Sequence, residues 1–260
     1  MSKDISKNIG LEIALKDDNQ LSLGEDVEFD GMSIRSRADL KIVAADENLA
    51  LDDKPAYFMY RNVRRAGDED MIKENNQRFD LTVIPAARLG AEFIKTSGHY
   101  HPIKEGTEVE YPELYYVVSG RATYLMQKHE TDGSVSDVIV CRVKAGEAII
   151  MPPFYGHVTI NETDETLVMA NWVEGNFSSV YGDYEKKRGA AYYLKADKEP
   201  EKNPHYSQVG ELREMQTAPQ AILDLEGTPI YDYVKSIEKI DLIANPEKHL
   251  DDFKIEKLFK

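Results

Sequence analysis

The run Glu113-Leu114-Tyr115-Tyr116-Val117-Val118-Ser119-Gly120-Arg121-Ala122-Thr123-Tyr124-Leu125-Met126-Gln127 holds two short segments rich in aliphatic and aromatic residues, one on each side of a Ser-Gly break. Such residues fit a pleated, half-buried surface, so the pair predicts two strands joined by a turn. The pattern repeats outward in both directions. Phe79–Ile84, Ala91–Lys95, Val138–Val143, Ala148–Met151, His157–Asn161 and Thr166–Val173 have the same character, and Gly90, Ser97-Gly98, Asp132-Gly133-Ser134, Ala145-Gly146 and Glu162-Thr163-Asp164 divide them. Asp132-Gly133 suits a hairpin because glycine takes positive φ without steric cost. Short runs at close intervals predict a β-sandwich or barrel between about residues 80 and 195.

The flanks differ. Ser36 could cap a short helix running toward Ala45, Ala56–Val63 is aromatic enough for a strand, and Arg64–Asp70 reads as a polar turn. Asn245-Pro246 sets a capping residue before a proline at a first helical position. The expected organisation is a mixed N-terminal extension over residues 1–55, a β-rich domain over 56–195 and a partly helical appendage over 196–260.

The chain has 260 residues, 42% of them hydrophobic and 30% charged, with 11 prolines and 16 glycines, a balance that matches an ordered chain. Its formal net charge of −15 would repel nucleic-acid phosphates and anionic lipid, so neither is an expected partner. Cys141 is the single cysteine and cannot form an internal disulfide, and the first residues lack the apolar stretch of a secretory signal. No apolar run approaches the roughly 20 residues that cross a bilayer. A reducing cytoplasm is the expected compartment.

Three of the six histidines lie in two turn-flanked stretches of the β-rich region: His99-Tyr100-His101, and His157 after Met151-Pro152-Pro153-Phe154-Tyr155-Gly156. On a strand, residues two apart face the same side, so His99 and His101 can reach one cation while Tyr100 turns away. Glu113 opens a strand on whose face Tyr115 and Val117 also lie, and it is the favoured carboxylate ligand. Glu105, Glu108 and Glu110 fall in the polar connection Pro102–Pro112, expected to be a loop at the rim. His157 adds a third imidazole. Three nitrogens and one carboxylate suit Fe(II), Mn(II), Ni(II) or Zn(II). His129, His205 and His249 are expected to be ordinary satisfied or surface residues.

This arrangement resembles the two cupin motifs. The first is His99-Tyr100-His101, Glu113 and Gly120; the second is Gly146, Pro152, His157 and Asn161. Two departures are visible: eleven residues separate His101 from Glu113 where three or four are usual, and Phe154 stands where the second motif commonly has Gly. With Thr96-Ser97-Gly98, Tyr111-Pro112-Glu113-Leu114-Tyr115 and Pro152-Pro153-Phe154-Tyr155-Gly156-His157, the chain is similar over about residues 55 to 185 to the cupin-type glucose-6-phosphate isomerase family of archaea and some bacteria. The resemblance implies a cupin jelly roll (double-stranded β-helix), usually a homodimer, acting on a sugar phosphate. It further implies one divalent transition metal ion on His99, His101, Glu113 and His157, with Fe(II) the first choice among Fe2+, Mn2+, Ni2+ and Zn2+.

Carried over position by position, the resemblance implies that Thr82, Thr96 and Gly98 hold the phosphate and that Tyr57, Tyr115 and Tyr181 line the sugar pocket. Glu113 would be the base for proton transfer between C1 and C2, with Tyr115 assisting, unless a direct hydride shift makes a base unnecessary. Val173 and Ser179 depart from a tyrosine and a histidine found in the family, which bears on ring opening and sugar preference. Lys95 and Arg88 are the nearest expected cations for the phosphate. Two other readings fit the same four ligands: a metallocupin oxygenase or decarboxylase, and a sugar-phosphate-binding cupin without turnover.

Overall fold

Where polar residues continue an apolar run, backbone pairing carries each strand a residue or more past it. The computed structural model describes residues 2–176, 178–196, 198–219, 222, 223 and 227–260. The strands that matter here are β1 (Gly31–Ser36), β2 (Pro55–Arg61), β3 (Gln77–Ile84), β4 (Arg88–Leu89), β5 (Glu92–Lys95) and β6 (Glu113–Ser119). They continue with β7 (Arg121–His129), β8 (Val135–Lys144), β9 (Ala148–Met151), β10 (Tyr155–Asn161), β11 (Leu167–Glu174) and β12 (Leu212–Met215). The Ser119-Gly120 break and the Asp132-Gly133 turn fall between strands as expected, with Gly120 and Gly133 at φ 85° and 80°.

Two six-stranded sheets form, in the orders β9-β6-β11-β3-β2-β1 and β12-β8-β7-β10-β5-β4. β3 pairs with β11, β5 with β10, β6 with β9 and β7 with β8, all antiparallel. Those pairings are those of one long hairpin rolled over on itself, which is a jelly roll, and the fold is the cupin double-stranded β-helix. Side-chain alternation then decides what faces the interior. Tyr57, Met59 and Arg61 of β2, Arg78 and Thr82 of β3, Met169, Asn171 and Val173 of β11, and Glu113 and Tyr115 of β6 all line one pocket between the sheets.

The opposite face of the first sheet is also covered. Phe79 and Trp172, both fully buried, meet Tyr231 with ring centroids 5.2 and 6.0 Å away, and the Trp172 indole N–H donates to the Ile230 carbonyl at 2.9 Å. Covering both faces explains why β11 is buried along its whole length, as central strands between two layers are.

The flanks bring two corrections. Arg64–Asp70 is not simply a turn: Arg64-Arg65 pairs with Val27-Glu28, and a helix runs Glu69–Glu74 with Glu69 and Asp70 in the first turn, where acidic residues favour the helix dipole. Asn245 does not cap with its side chain. Its amide group instead donates to Asp241 and accepts from Lys104, and only a single 3₁₀ turn, Pro246–Lys248, follows. The longest C-terminal helical segment, Ile230–Ile243, is likewise 3₁₀, broken by non-helical dihedrals at Ser236 and Ile240. Ser36 behaves as expected, exchanging hydrogen bonds with Asp39 at the start of the Ala38–Val43 turn.

Candidate metal centre and substrate pocket

The His-x-His unit lies just beyond β5, and its two-residue periodicity comes from paired backbone bridges. His99 and His157 exchange backbone hydrogen bonds at 3.2 and 3.0 Å, while Tyr100 bridges to Val180. Tyr100 therefore points away from the histidines and lies against Gly156, where a Cβ would come within 2.5 Å of its ring. Gly98 makes the turn into this unit at φ 78°, and a Cβ there would sit 2.5 Å from the Tyr184 ring. Gly98→Ala combines left-handed strain of about 1 kcal/mol with overpacking of 1–3 kcal/mol. It is expected to destabilise the fold by about 2–3 kcal/mol in urea unfolding and to weaken metal uptake through His99.

His99 and His101 approach with their Nε2 atoms 3.2 Å apart. Glu113 Oε2 stands 3.2 Å from His101 Nε2, 3.4 Å from His157 Nε2 and 3.9 Å from His99 Nε2. Ligand atoms of all four residues lie within 4.8 Å of one another. Partners outside this group fix the orientations. His101 Nδ1–H donates to the Tyr111 carbonyl at 2.7 Å, which leaves a lone pair on Nε2, and the Asn171 amide donates to Glu113 Oε1 at 2.7 Å, which turns Oε2 toward the imidazoles. Two electron-rich atoms, the His101 nitrogen and Glu113 Oε2, thus face each other. Among the described residues, Glu113 Oε2 is buried without a hydrogen-bond partner. A divalent cation between these donors satisfies both, so the residues fit such an ion.

The electrostatics agree. Burial raises the Glu113 carboxyl, but hydrogen bonds and charge from His101 and His157 together outweigh it and hold the group well below the ordinary carboxylate range. Burial, reinforced by the other two imidazoles, pushes His99 well below 6.5, and burial also lowers His157 against the pull of Glu113. Neutral imidazoles beside an ionised carboxylate are the protonation states that ligate metal. Tyr115, its hydroxyl 3.3 Å from His157 Nε2, is held well above 10 by burial and then by Glu113, so it stays a neutral phenol.

Glu110 departs from its expected place at the rim. It is buried, accepts from the Phe154 backbone N–H at 3.1 Å and pairs with His129 Nε2 at 2.8 Å. Phe154 has φ 70°, so it adopts the conformation for which the second cupin motif commonly uses Gly, and Glu110 anchors that turn. The hydrogen bond to Glu110 raises the His129 pKa above 6.5 against burial. The raised value means that the pair's contribution is fully present below about pH 6.5 and fades as pH climbs through the folded pKa. His129→Gln is therefore expected to lower stability by up to about 1 kcal/mol at pH 6 and by less at pH 9, read as the difference in melting temperature from the parent.

The other residues singled out by sequence gather in one pocket. Tyr57, Thr82, Thr96, Gly98, Tyr115 and Tyr181 line it together with His99 and Glu113; Val173 and Ser179 are in its wall. The Tyr57 hydroxyl lies 3.3 Å from Ser97 Oγ, Thr96 Oγ1 accepts from the Thr159 N–H at 3.0 Å, and the Tyr181 ring is 5.7 Å from that of His99. The two expected cations are elsewhere. Lys95 is buried in an ion pair with Glu92, and Arg88 is exposed over the Phe93 ring. The pocket's guanidinium groups come instead from Arg61 and Arg78, both bound to the fully buried Asp80. These residues and Asn171 were not anticipated. Strand parity with Tyr57 and Thr82 was the available signal for Arg61 and Arg78. A wider open cleft of about 790 Å³ near Lys3, Arg121 and Lys144 contains none of these groups.

With the geometry in view, comparison with known proteins is informative. The family model described as glucose-6-phosphate isomerase (GPI) matches residues 34–210. The glucose-6-phosphate isomerase of Thermococcus onnurineus is 27% identical over 158 residues, 59% of this chain and 75% of that one. That of Thermococcus kodakarensis is 25% identical over 170 residues, 64% and 82% of the two chains. Among solved structures, oxalate decarboxylase of Bacillus subtilis is similar over 48% of this chain and 28% of its own, at 19% identity and a TM-score of 0.33, so this chain spans under a third of that protein. The family match covers well over half of the sequence and includes the whole histidine and carboxylate cluster, and the chain belongs to the glucose-6-phosphate isomerase family of enzymes.

Proposed function

We propose that this enzyme interconverts glucose 6-phosphate and fructose 6-phosphate in the pocket beside His99, His101, Glu113 and His157, with these four residues holding one divalent transition ion, Fe(II) as first choice. The observation that carries the reading is the buried, unpartnered Glu113 Oε2 facing three imidazole nitrogens at the floor of a pocket walled by hydroxyl and guanidinium groups. When bound, the cation supplies Lewis-acid polarisation of the sugar's carbonyl and adjacent hydroxyl oxygens.

The chain's own groups would do the rest. Thr82, Thr96 and Gly98 orient the phosphorylated end of the sugar, and Tyr57 and Tyr181 confine it. Glu113 is the group placed to accept and return a proton between C1 and C2, and its tether to Asn171 keeps its free oxygen aimed at the reacting end. Tyr115, kept neutral, can donate a hydrogen bond to a developing oxyanion.

Residues 56–195 would form the catalytic unit, with 1–55 and 196–260 bracing it. Assembly as a homodimer is supported by Phe29, Met32 and Ile34, exposed on or beside the edge strand β1. Among the described residues no helix is long and apolar enough to cross a membrane, and a cytoplasmic location is part of the proposal.

The test is a coupled assay for fructose 6-phosphate conversion on protein stripped by chelator and then given Fe(II), Mn(II), Ni(II) or Zn(II). Turnover is expected to fall at least about a hundredfold on stripping and to return with one or more ions. Unchanged turnover in verified metal-free protein would exclude metal-dependent catalysis. Sugar-phosphate binding without conversion would make the chain a binding protein.

A further inference from the structure

A protein of net charge −15 that takes an anionic substrate needs a local source of positive charge, and the pocket has one. Arg61 ends β2 and Arg78 lies near the start of β3, on the same interior faces as Tyr57 and Thr82. Asp80, fully buried between them, accepts from Arg61 Nη1 at 2.7 Å, from Arg78 Nε at 3.0 Å and from the Asn62 backbone N–H at 2.8 Å. A single arginine would neutralise that carboxylate. The second guanidinium is a surplus positive charge, and the cluster carries a net charge of one. Both side chains keep contact with solvent, 39% exposed for Arg61 and 24% for Arg78. The cross-strand neighbour of Arg78 is Val173, whose short apolar side chain cannot occupy its donors. Among the described residues the hydrogen bonds of Arg78 use Nε and Nη1, the latter to the Gly175 carbonyl, and none uses Nη2.

We infer that Arg61 and Arg78, aligned by Asp80, form the charge-bearing half of a phosphate-monoester site, with Thr82 farther along β3 supplying a neutral donor. Planar guanidinium groups held rigidly at the wall of a partly enclosed pocket match the oxygens of a phosphate dianion, and Asp80 spares them the entropy of finding that geometry. Thr82 lies one side-chain step from Asp80, about 7 Å of strand rise, so the two halves can grip one group. This site rests on the sugar-phosphate reading above and adds the residues that provide its charge.

The test uses metal-loaded protein, steady-state kinetics with fructose 6-phosphate, and calorimetric titration with inorganic phosphate. Arg78→Gln and Arg61→Gln are each expected to raise KM at least about tenfold with kcat within about threefold, and to weaken inorganic phosphate binding by a similar factor. Arg78→Lys should recover part of both losses by restoring charge without the fork. If Arg78→Gln fails to fold, Arg61→Gln and Arg78→Lys carry the same readouts. Lower melting temperatures with KM and phosphate affinity unmoved would mean that the arginines only neutralise Asp80, and would overturn the site. Conversion that is indifferent to both arginines would likewise overturn the site while leaving the isomerase reading standing. Phosphate binding through these arginines with no conversion of fructose 6-phosphate would support the site and remove the isomerase reading.

Discussion

Glu113→Ala is expected to lower kcat/KM for fructose 6-phosphate by about 10³ or more and to leave the purified protein with little bound metal. The carboxylate is the only formal negative charge among the four converging donors, and its Oε2 is the atom all three imidazoles face. Removing it leaves three neutral nitrogens, which bind a hard or borderline divalent ion less firmly, and leaves the Asn171 amide without its buried acceptor. Lewis-acid assistance of several kcal/mol depends on the ion's being present; at 1.36 kcal/mol per factor of ten, about 4 kcal/mol is a thousandfold. Glu113→Gln separates charge from shape, because its amide oxygen can still accept from Asn171. It is expected to lose nearly as much activity while unfolding closer to the parent. Metal content by mass spectrometry and the coupled assay give the two readouts. Stoichiometric metal and turnover within tenfold of the parent in Glu113→Ala would show that the histidines suffice.

How far this centre could be read from sequence depended on whether the information was local. His99 and His101 were legible because a two-residue spacing on a pleat fixes their common direction, and Glu113 because it opens an alternating strand. Tyr57 and Thr82 came through the family likeness, whereas Arg61 and Arg78, which share their strand faces, went unnoticed because a charge near a strand end ordinarily belongs to solvent. What brings them inward is Asp80, and that pairing depends on the register between β2 and β3, which nothing in either segment specifies. Asn171 is a similar case: it faces Tyr115 across the β6–β11 ladder, and only that register puts its amide on Glu113. Lys95 misled for the opposite reason. It adjoins Thr96 in sequence, yet parity sends it to the buried ion pair with Glu92. Glu110 looked like a rim residue in a polar loop until the Phe154 turn supplied its buried partner. The C-terminal segment had the right apolar residues, but packing against the sheet set the helix type, overriding local propensity.

The largest effect on stability is expected from a residue that touches no substrate. Trp172→Ala should destabilise the protein by about 3–5 kcal/mol, the range for truncating a fully buried aromatic. Trp172 lies on the outer face of β11, its ring centroid 4.9 Å from that of Phe79, and its indole N–H ties the strand to Ile230 at the start of the C-terminal segment. Alanine would remove the ring from a three-aromatic cluster and leave the Ile230 carbonyl without its partner. Trp172→Phe keeps much of the packing but loses the hydrogen bond, so about 1–3 kcal/mol of loss should remain from the unpaired buried acceptor. In urea unfolding both variants should shift the midpoint with little change in slope if the C-terminal segment and jelly roll unfold together. A separate early transition in Trp172→Ala would instead show that the segment is docked and can be released by itself. Because Asn171 and Val173 flank Trp172 on the opposite face of the strand, the surviving folded fraction should keep a kcat within about threefold of the parent. Destabilisation below about 1 kcal/mol would mean that the tryptophan does not pin the two layers.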